Sequence, residues 1–355
     1  MILYYSNFNT LCNKDTDRRY LEKFINENFL VITDSSIGDL EKWDSKLVEI
    51  DQIVKNNNIA LILLDLSHNP YPTLSKNLNT QPASKLLNDL LKICNTKLLI
   101  ADFLYYYKPR PDCIFFPMSL WQFNTKQILW FSDIIFDTSY KKSKSMMCLN
   151  SIPAWQRLYF FELLIRNNTI SNIDYSFIGN ITADMLDNNI MLAENLSSND
   201  LNLIKKHIHL LPLRLKNEPN GYFDSVGIGH PVYSDCAINI VTETSITDGV
   251  ILTEKTCKPF MAYQIPILIA STGTNQFLED IGLDMFSDYI PWKTWDNLED
   301  HKLKMNMIAD FVSQLLQNPT DILEKHNNFK SRIINNKEYF HSQKLLEILT
   351  KQFIV

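Results

Sequence analysis

The chain has 8 glycines among 355 residues, too few for the glycine-rich phosphate loops of many nucleotide-binding folds, and no Gly-x-Gly-x-x-Gly follows its first apolar run. That argues against a dinucleotide-dependent oxidoreductase. Its six cysteines (Cys12, Cys94, Cys113, Cys148, Cys236 and Cys257) lie far apart, with no Cys-x-x-Cys or Cys/His spacing. Neither a zinc site nor a disulfide framework is implied, and they read as buried thiols of a reducing compartment. No apolar run approaches the roughly 18 residues of a membrane span, and the opening Met1–Tyr5 run lacks the basic flank of a secretion signal. A soluble, cytoplasmic protein is the expectation. Positive charge is also scarce: 34 Lys and Arg against 40 Asp and Glu leave a net charge of −6. A nucleic-acid partner would therefore need a local basic patch.

Apolar residues make up 45% of the chain and aromatics 12%, ample for two cores at ~150 residues per domain. Up to about residue 140, short β-rich runs alternate with helical patterns, as in βαβ units around a parallel sheet. The best strands are 1–5, 29–33, 60–65 and 97–102, the last two ending in Asp65 and Asp102. Leu86, Leu87, Leu90, Leu91 and Cys94 predict an amphipathic helix over 84–95. The charged stretch Tyr140–Ser145 reads as an exposed linker. A second alternating unit follows, with strands at 146–149, 175–178, 237–241 and 266–270. Its first helix carries Leu158, Phe161, Leu164 and Ile165 on one stripe, and Pro153 suits that helix's first turn. Helical patterns at 303–316 and 339–353 close the chain. The expected fold is α/β, with two nucleotide-binding-type domains at 1–143 and 144–335 and a helix at 336–355 packing back on the first.

Residues 237–274 are the most informative. A buried strand delivers Thr242, Glu243, Thr244 and Ser245 to its carboxyl edge, and Thr253, Glu254, Lys255, Thr256 and Lys258 open the next helix. Open α/β sheets bind ligands at that edge. Thr253 suits an N-cap, and free N–H groups with the helix dipole favour phosphate there. Glu254 and Lys258 share one helix face, so the carboxylate could hold ribose hydroxyls while the ammonium meets a diphosphate. The plainer alternative is an i,i+4 surface pair beside a loop glutamate.

The run Thr242-Glu243-Thr244-Ser245, Gly249, Leu252–Pro259 and Pro266–Ile269 resembles a signature of phage and large-virus glycosyltransferases. It is more distantly similar to the donor-binding segment of α-1,3-fucosyltransferases, in which a Phe-Glu-Asn-Ser element precedes Thr-Glu-Lys. Cys148-Leu149-Asn150, Arg157 and Leu163-Leu164 are similar to the start of the same domain. The resemblance covers roughly 145–290. It implies the two-domain GT-B architecture and a nucleotide-diphosphate-sugar donor held by the second domain, with no cofactor. Carried over, Glu254 would contact sugar or ribose hydroxyls, and Lys255 or Lys258 the phosphates. Arg157 would supply a second positive charge, while Asn150, Glu243, Ser245 and Thr253 would line the same cleft. Thr-Ser in place of Asn-Ser after Glu243 leaves the donor sugar open.

Cations and a helix N-terminus can stabilise the leaving diphosphate without a metal. The sole Asp-x-Asp, Asp15-Thr16-Asp17, reads better as a helix cap than as a metal ligand pair. An inverting transfer also needs a base in the first domain, for which Asp65, His68 and Asp102 are the candidates. A strand-end aspartate is otherwise a turn residue, and a lone histidine is usually structural. His230 is a further cleft candidate. The acceptor could be a hydroxylated DNA base or a glycan, and Lys108-Pro109-Arg110 and Lys141–Lys144 are the clusters that could meet DNA. The competing class is a non-catalytic module that uses the fold to bind a nucleotide or glycan.

Overall fold

The computed structural model describes residues 2–5, 29–33, 43–57, 61–65, 98–102, 104–105, 113–117, 141–150, 153–179, 181–215, 228–244, 246, 250–342 and 344–345. The chain divides into two units, Met1–Gln122 with Leu346–Val355, and Phe123–Leu345. Each is built on a parallel sheet, so the α/β class expected from the apolar runs is the one observed.

In the first unit, β1 (Ile2–Tyr5), β2 (Phe29–Thr33), α1 (Trp43–Asn57), β3 (Leu61–Asp65), β4 (Leu98–Asp102), the short β5 (Leu104–Tyr105) and β6 (Cys113–Pro117) follow in order. The sheet order is β1-β2-β3-β4-β6, and every neighbouring pair is parallel. On α1, Ile50 and Val54 are buried one turn apart, the helical spacing that makes a core face. Asp65 ends β3 opposite Thr33 and Ala101, and Asp102 ends β4 opposite Pro117. Two candidate bases thus close neighbouring strands at one sheet edge. His68, the Asp15-Thr16-Asp17 run, Lys108-Pro109-Arg110 and the helix expected at 84–95 lie outside the described residues.

The second unit carries β7 (Lys144–Asn150), β8 (Asp174–Phe177), β9 (Cys236–Thr242), the short β10 (Val250–Ile251) and β11 (Ile265–Ile269). Its four-stranded sheet runs β11-β9-β7-β8, all parallel. Every residue of β9 and β11 is buried, as their continuous apolar runs require of strands covered on both faces. Asn239 is the polar exception inside β9, and its amide donates to Gln264 over 2.9 Å.

Helix α2 (Trp155–Arg166) joins β7 to β8. It is buried on all sides from Trp155 to Leu164, so the expected apolar stripe is part of a central helix rather than a surface one. It starts after the N-cap Ala154; Pro153 precedes the helix instead of occupying its first turn. Helices α3 (Ala183–Asn188), α4 (Ile190–Asn195), α5 (Ser198–His207) and α6 (Pro231–Asp235) lead to β9. His230 caps α6, its Nδ1 accepting from the Val232 amide at 3.1 Å. Helix α7 (Glu254–Met261) joins β9 to β11, and α8 (Thr274–Asp280) follows β11.

Three helices close the described chain: α9 (His301–Leu315), α10 (Pro319–Asn328) and α11 (Lys330–Phe340). The sequence pattern shows α9 but misses α10 and most of α11, because Asn318-Pro319 and Asn327-Asn328 look like loop. In fact the Asn318 side chain caps α10 and Pro319 occupies its first turn, where a missing N–H costs nothing. A turn at 341–342 interrupts the helix expected from 339.

The expected exposed linker at 140–145 is also corrected. Lys144 opens β7 and pairs with Asp174 at 3.0 Å. The half-buried Lys142 donates to the carbonyls of Tyr233 and Ala262, both at 2.9 Å. Lysine's long apolar stem lets its ammonium reach backbone acceptors inside a fold. Two of the three lysines suggested for a DNA-facing cluster are thereby engaged within this unit.

Candidate functional site

The strand order of the second unit reverses at β7: β8 lies on one side, and β9 followed by β11 on the other. Such a switch point opens a crevice outside the carboxyl ends of the two central strands. The β7–β9 ladder runs from Lys144 opposite Cys236 to Met147 opposite Asn239. Beyond it side chains take over, the Thr242 hydroxyl donating to the Asn150 carbonyl oxygen. The Asn150 amide donates in turn to the Tyr175 hydroxyl at 3.3 Å and contacts Cys148 Sγ at 3.5 Å. Burial pushes the Cys148 thiol up to about 12, so it stays protonated and inert.

Glu243 follows β9 and has no exposed surface. Its Oε1 accepts from the Thr253 amide at 3.1 Å and from the Thr256 hydroxyl; its Oε2 accepts from the Thr253 hydroxyl at 2.6 Å and the Thr244 amide at 3.1 Å. Four donors for one carboxylate meet the requirement that a buried charge be fully hydrogen-bonded. The consequence is mechanical: Glu243 ties the end of β9 to the start of α7. Thr253 is the N-cap of α7, its hydroxyl oxygen accepting from the Lys255 amide at 3.3 Å.

Four further charges surround this knot. Glu254 and Lys255 form an ion pair at 2.5 Å, with side chains 22% and 23% exposed. Lys255 also reaches the hydroxyls of Thr244 and Thr253, at 3.3 and 3.5 Å. Beneath them lie Arg157 and Lys258, only 3% and 6% exposed. Arg157 Nη2 donates to the Thr242 carbonyl at 3.3 Å, and Lys258 Nζ lies 5.8 Å from the centre of the Tyr233 ring. Burial lowers the Arg157 pKa, though the Glu243 and Glu254 carboxylates partly restore it. Burial alone would raise Glu254, but Lys255 and Lys258 outweigh it and hold this carboxyl below the usual range. Two carboxylates thus face three cations, a net single positive charge.

The helix starts at this edge differ in a way that bears on anions. Glu243 fills the start of α7. The start of α8 is filled by the buried carboxylate of Asp296, which accepts from the Asn275 amide at 3.2 Å and the Gln276 amide at 3.0 Å. The start of α2 has neither a side-chain cap nor an acidic residue in its first turn. It carries Arg157 and Gln156 instead, the latter donating to the carbonyls of Glu243 and Thr244 at 2.9 and 3.0 Å.

Of the residues singled out in the sequence, Asn150, Arg157, Glu243, Thr253, Glu254, Lys255 and Lys258 converge here. Ser245 and His68 lie outside the described residues, and Asp65 and Asp102 are placed by backbone alone. Sequence reasoning missed Gln156 and Tyr233, and named Thr256 only as part of the polar start of α7. Gln156 had a signal, being a polar residue beside Arg157 at the start of an otherwise apolar helix. Tyr233 had none, since its ring meets Lys258 from across 25 positions of chain.

No protein-family model matches the chain, and no curated protein matches it. Two solved structures overlap it along most of its length. One is a glycosyltransferase from Rickettsia africae ESF-5, 10% identical, covering 99% of this chain and 97% of that one with a TM-score of 0.42. The other is the trehalose-6-phosphate synthase OtsA, 12% identical, covering 96% of this chain and 75% of that one with a TM-score of 0.45.

Proposed function

We propose that the protein is a GT-B-type glycosyltransferase that moves a sugar from a nucleoside-diphosphate donor to an acceptor hydroxyl, with the donor at the switch point of the second unit. The observation carrying this reading is the gathering of Arg157, Lys255, Lys258 and Glu254 at that edge, beside the uncapped start of α2. The resemblance of the Thr-Glu-Lys segment to phage, large-virus and fucosyltransferase enzymes supports the same assignment.

The geometry refines the division of labour. Glu243 already accepts from four donors, so it sets α7 in place instead of touching the donor. An anion at the start of α7 would meet that buried carboxylate at close range. The diphosphate therefore belongs toward α2, with Arg157 and Lys258 as countercharges, and Glu254 turns to ribose or sugar hydroxyls. In the transfer, the acceptor oxygen attacks the anomeric carbon and the bond to the β-phosphate oxygen breaks. The leaving nucleoside diphosphate keeps the electron pair, and a base takes the acceptor proton. Preplaced cations stabilise the leaving group and need no reorganisation as charge builds. Asp65, Asp102 and His68 remain the candidates for that base. Direct displacement inverts the anomeric configuration and proceeds without a metal. A glycan is the acceptor this reading favours over a DNA base, since Lys142 and Lys144 are engaged within the fold.

A thermal-shift panel of nucleoside diphosphates and their sugars identifies the donor, because a ligand at 100 times its Kd adds about 2.7 kcal/mol of stability. Turnover of the bound sugar nucleotide should be lost in Glu254→Ala and Lys258→Ala. Variants as active as the parent would overturn the site assignment, and binding without turnover against any hydroxyl acceptor would favour a non-catalytic module.

A further inference from the structure

Helix α7 presents Glu254, Lys255 and Lys258 from its start, yet it is also secured at its far end by groups the proposed function does not use. The chain reverses there through Ala262, Tyr263 and Gln264. The Lys142 ammonium holds the Ala262 carbonyl at 2.9 Å, and His326 on α10 holds the Tyr263 carbonyl at 2.9 Å. Gln264 donates to the Cys236 carbonyl at 3.1 Å. Tyr263 itself has a φ of 54°, a left-handed conformation that a bulky residue adopts only under external constraint.

Lys142 does more than close the turn. Its second hydrogen bond, also 2.9 Å, goes to the carbonyl of Tyr233, the residue whose ring lies 5.8 Å from Lys258 Nζ. Tyr233 also senses the other side of the site: burial raises its hydroxyl pKa, and the Glu254 charge raises it further. One ammonium thus joins the helix that carries Lys258 to the residue that forms its aromatic wall.

We propose that Lys142 is a positioning residue of the donor site, its charge joining the Tyr233 and Ala262 carbonyls and so fixing where Lys258 presents its own. The inference rests on the donor-site reading above. Charged donors make the stronger hydrogen bonds, so the clamp weakens when the amine loses its proton. Burial lowers Lys142 to about 8, while Cys236 and Asp235 partly oppose the drop. The groups facing it are Asp235 on α6, the Cys236 thiol on β9, which burial keeps protonated, and His326 on α10, which is neutral at pH 7. Donor phosphates are already ionised above pH ~6.

The signature is a pair of opposite trends. As pH rises through about 8, Lys142 loses its proton in the fold and donor affinity falls. Over the same range the unfolded lysine keeps its proton up to about 10.4, so the protein's stability relative to Lys142→Met rises. A lysine that merely supports the fold would not drive the two apart.

The experiment titrates UDP, GDP, CDP and ADP into the full-length protein and its Lys142→Met and Lys142→Arg variants between pH 7 and 9. At pH 7 Lys142→Met should bind the preferred nucleotide about tenfold more weakly. Lys142→Arg should restore binding and flatten the pH profile. Unchanged affinity in Lys142→Met, or a Lys142→Arg profile that still falls like the parent's, overturns the proposal. If no nucleotide binds the parent, the donor-site reading fails separately. The clamp is then read without ligand from the 13Cε-lysine NMR signal of Lys258, which should move in Lys142→Met and hold in Lys142→Arg; an unmoved signal in Lys142→Met overturns it.

Discussion

The Thr253 hydroxyl donates to the Glu243 carboxylate over 2.6 Å, and Glu243 has no exposed surface at all. Removing the carboxylate would strand the Thr253 and Thr244 amides and leave Arg157 with less compensating charge. Glu243→Ala should therefore destabilise the protein by about 3 kcal/mol, within the range for a broken buried charge network. Urea unfolding of the full chain measures this. Glu243→Gln, which keeps the shape but loses acceptor capacity, should fall between the two.

The depressed pKa of Glu254 fixes the sign of an acid effect. A carboxyl that ionises more readily in the fold than in the unfolded chain contributes stability above its unfolded value near 4.5, and loses it as pH falls through the lower, folded value. Melting temperatures of the parent and of Glu254→Gln should converge below pH 4.5 and separate above it, with the parent the more stable.

His326 adds to the same acid sensitivity from a different cause. Burial drops it from 6.5 to about 4, against the opposing hydrogen bond to Tyr263. Between those values the unfolded histidine is protonated and the folded one is not, so stability falls as pH descends from 6.5 toward 4. At ~1.4 kcal/mol per pH unit that amounts to about 3 kcal/mol. His326→Gln, which can still donate to the Tyr263 carbonyl, should lose this slope in a series of melting curves.

Gly282 tests the attachment of α11. Its φ is +101°, and an added Cβ would stand 2.5 Å from the Tyr339 hydroxyl, which donates to the Ile281 carbonyl at 2.6 Å. Gly282→Ala should cost about 2–3 kcal/mol through strain and displacement of Tyr339. Urea unfolding reports the loss, and Tyr339→Phe in the same background should recover part of it.

What could be read from the sequence follows a physical division. The strands at Cys236–Thr242 and Ile265–Ile269 were legible because full burial demands an unbroken apolar run. The start of α7 was legible because a threonine cap followed by charged residues is a local signal. Lys142 was not, since its neighbours in the chain are lysines and serines while its partners lie 91 and 120 residues away. Glu243 was legible as part of the site but not in its role. A polar Thr-Glu-Thr run has the same composition whether it faces water or a helix start, and only the contacts with Thr253 and Thr256 decide between them. Lys304, 1% exposed and donating to the carbonyls of Ala270 and Asp296, is a further charge that no spacing rule would place inside.

Helix α7 has its first turn gripped by one buried anion and its last by one ammonium and one imidazole. A rod pinned at both ends can neither pivot nor slide, so a molecule arriving at its exposed tip has only the rotamers of Glu254 and Lys255 to rearrange. Backbone amide exchange across Glu254–Met261 would then be slow before ligand arrives and unchanged after, and selectivity would come from fit to a standing surface rather than from a surface that folds around its guest.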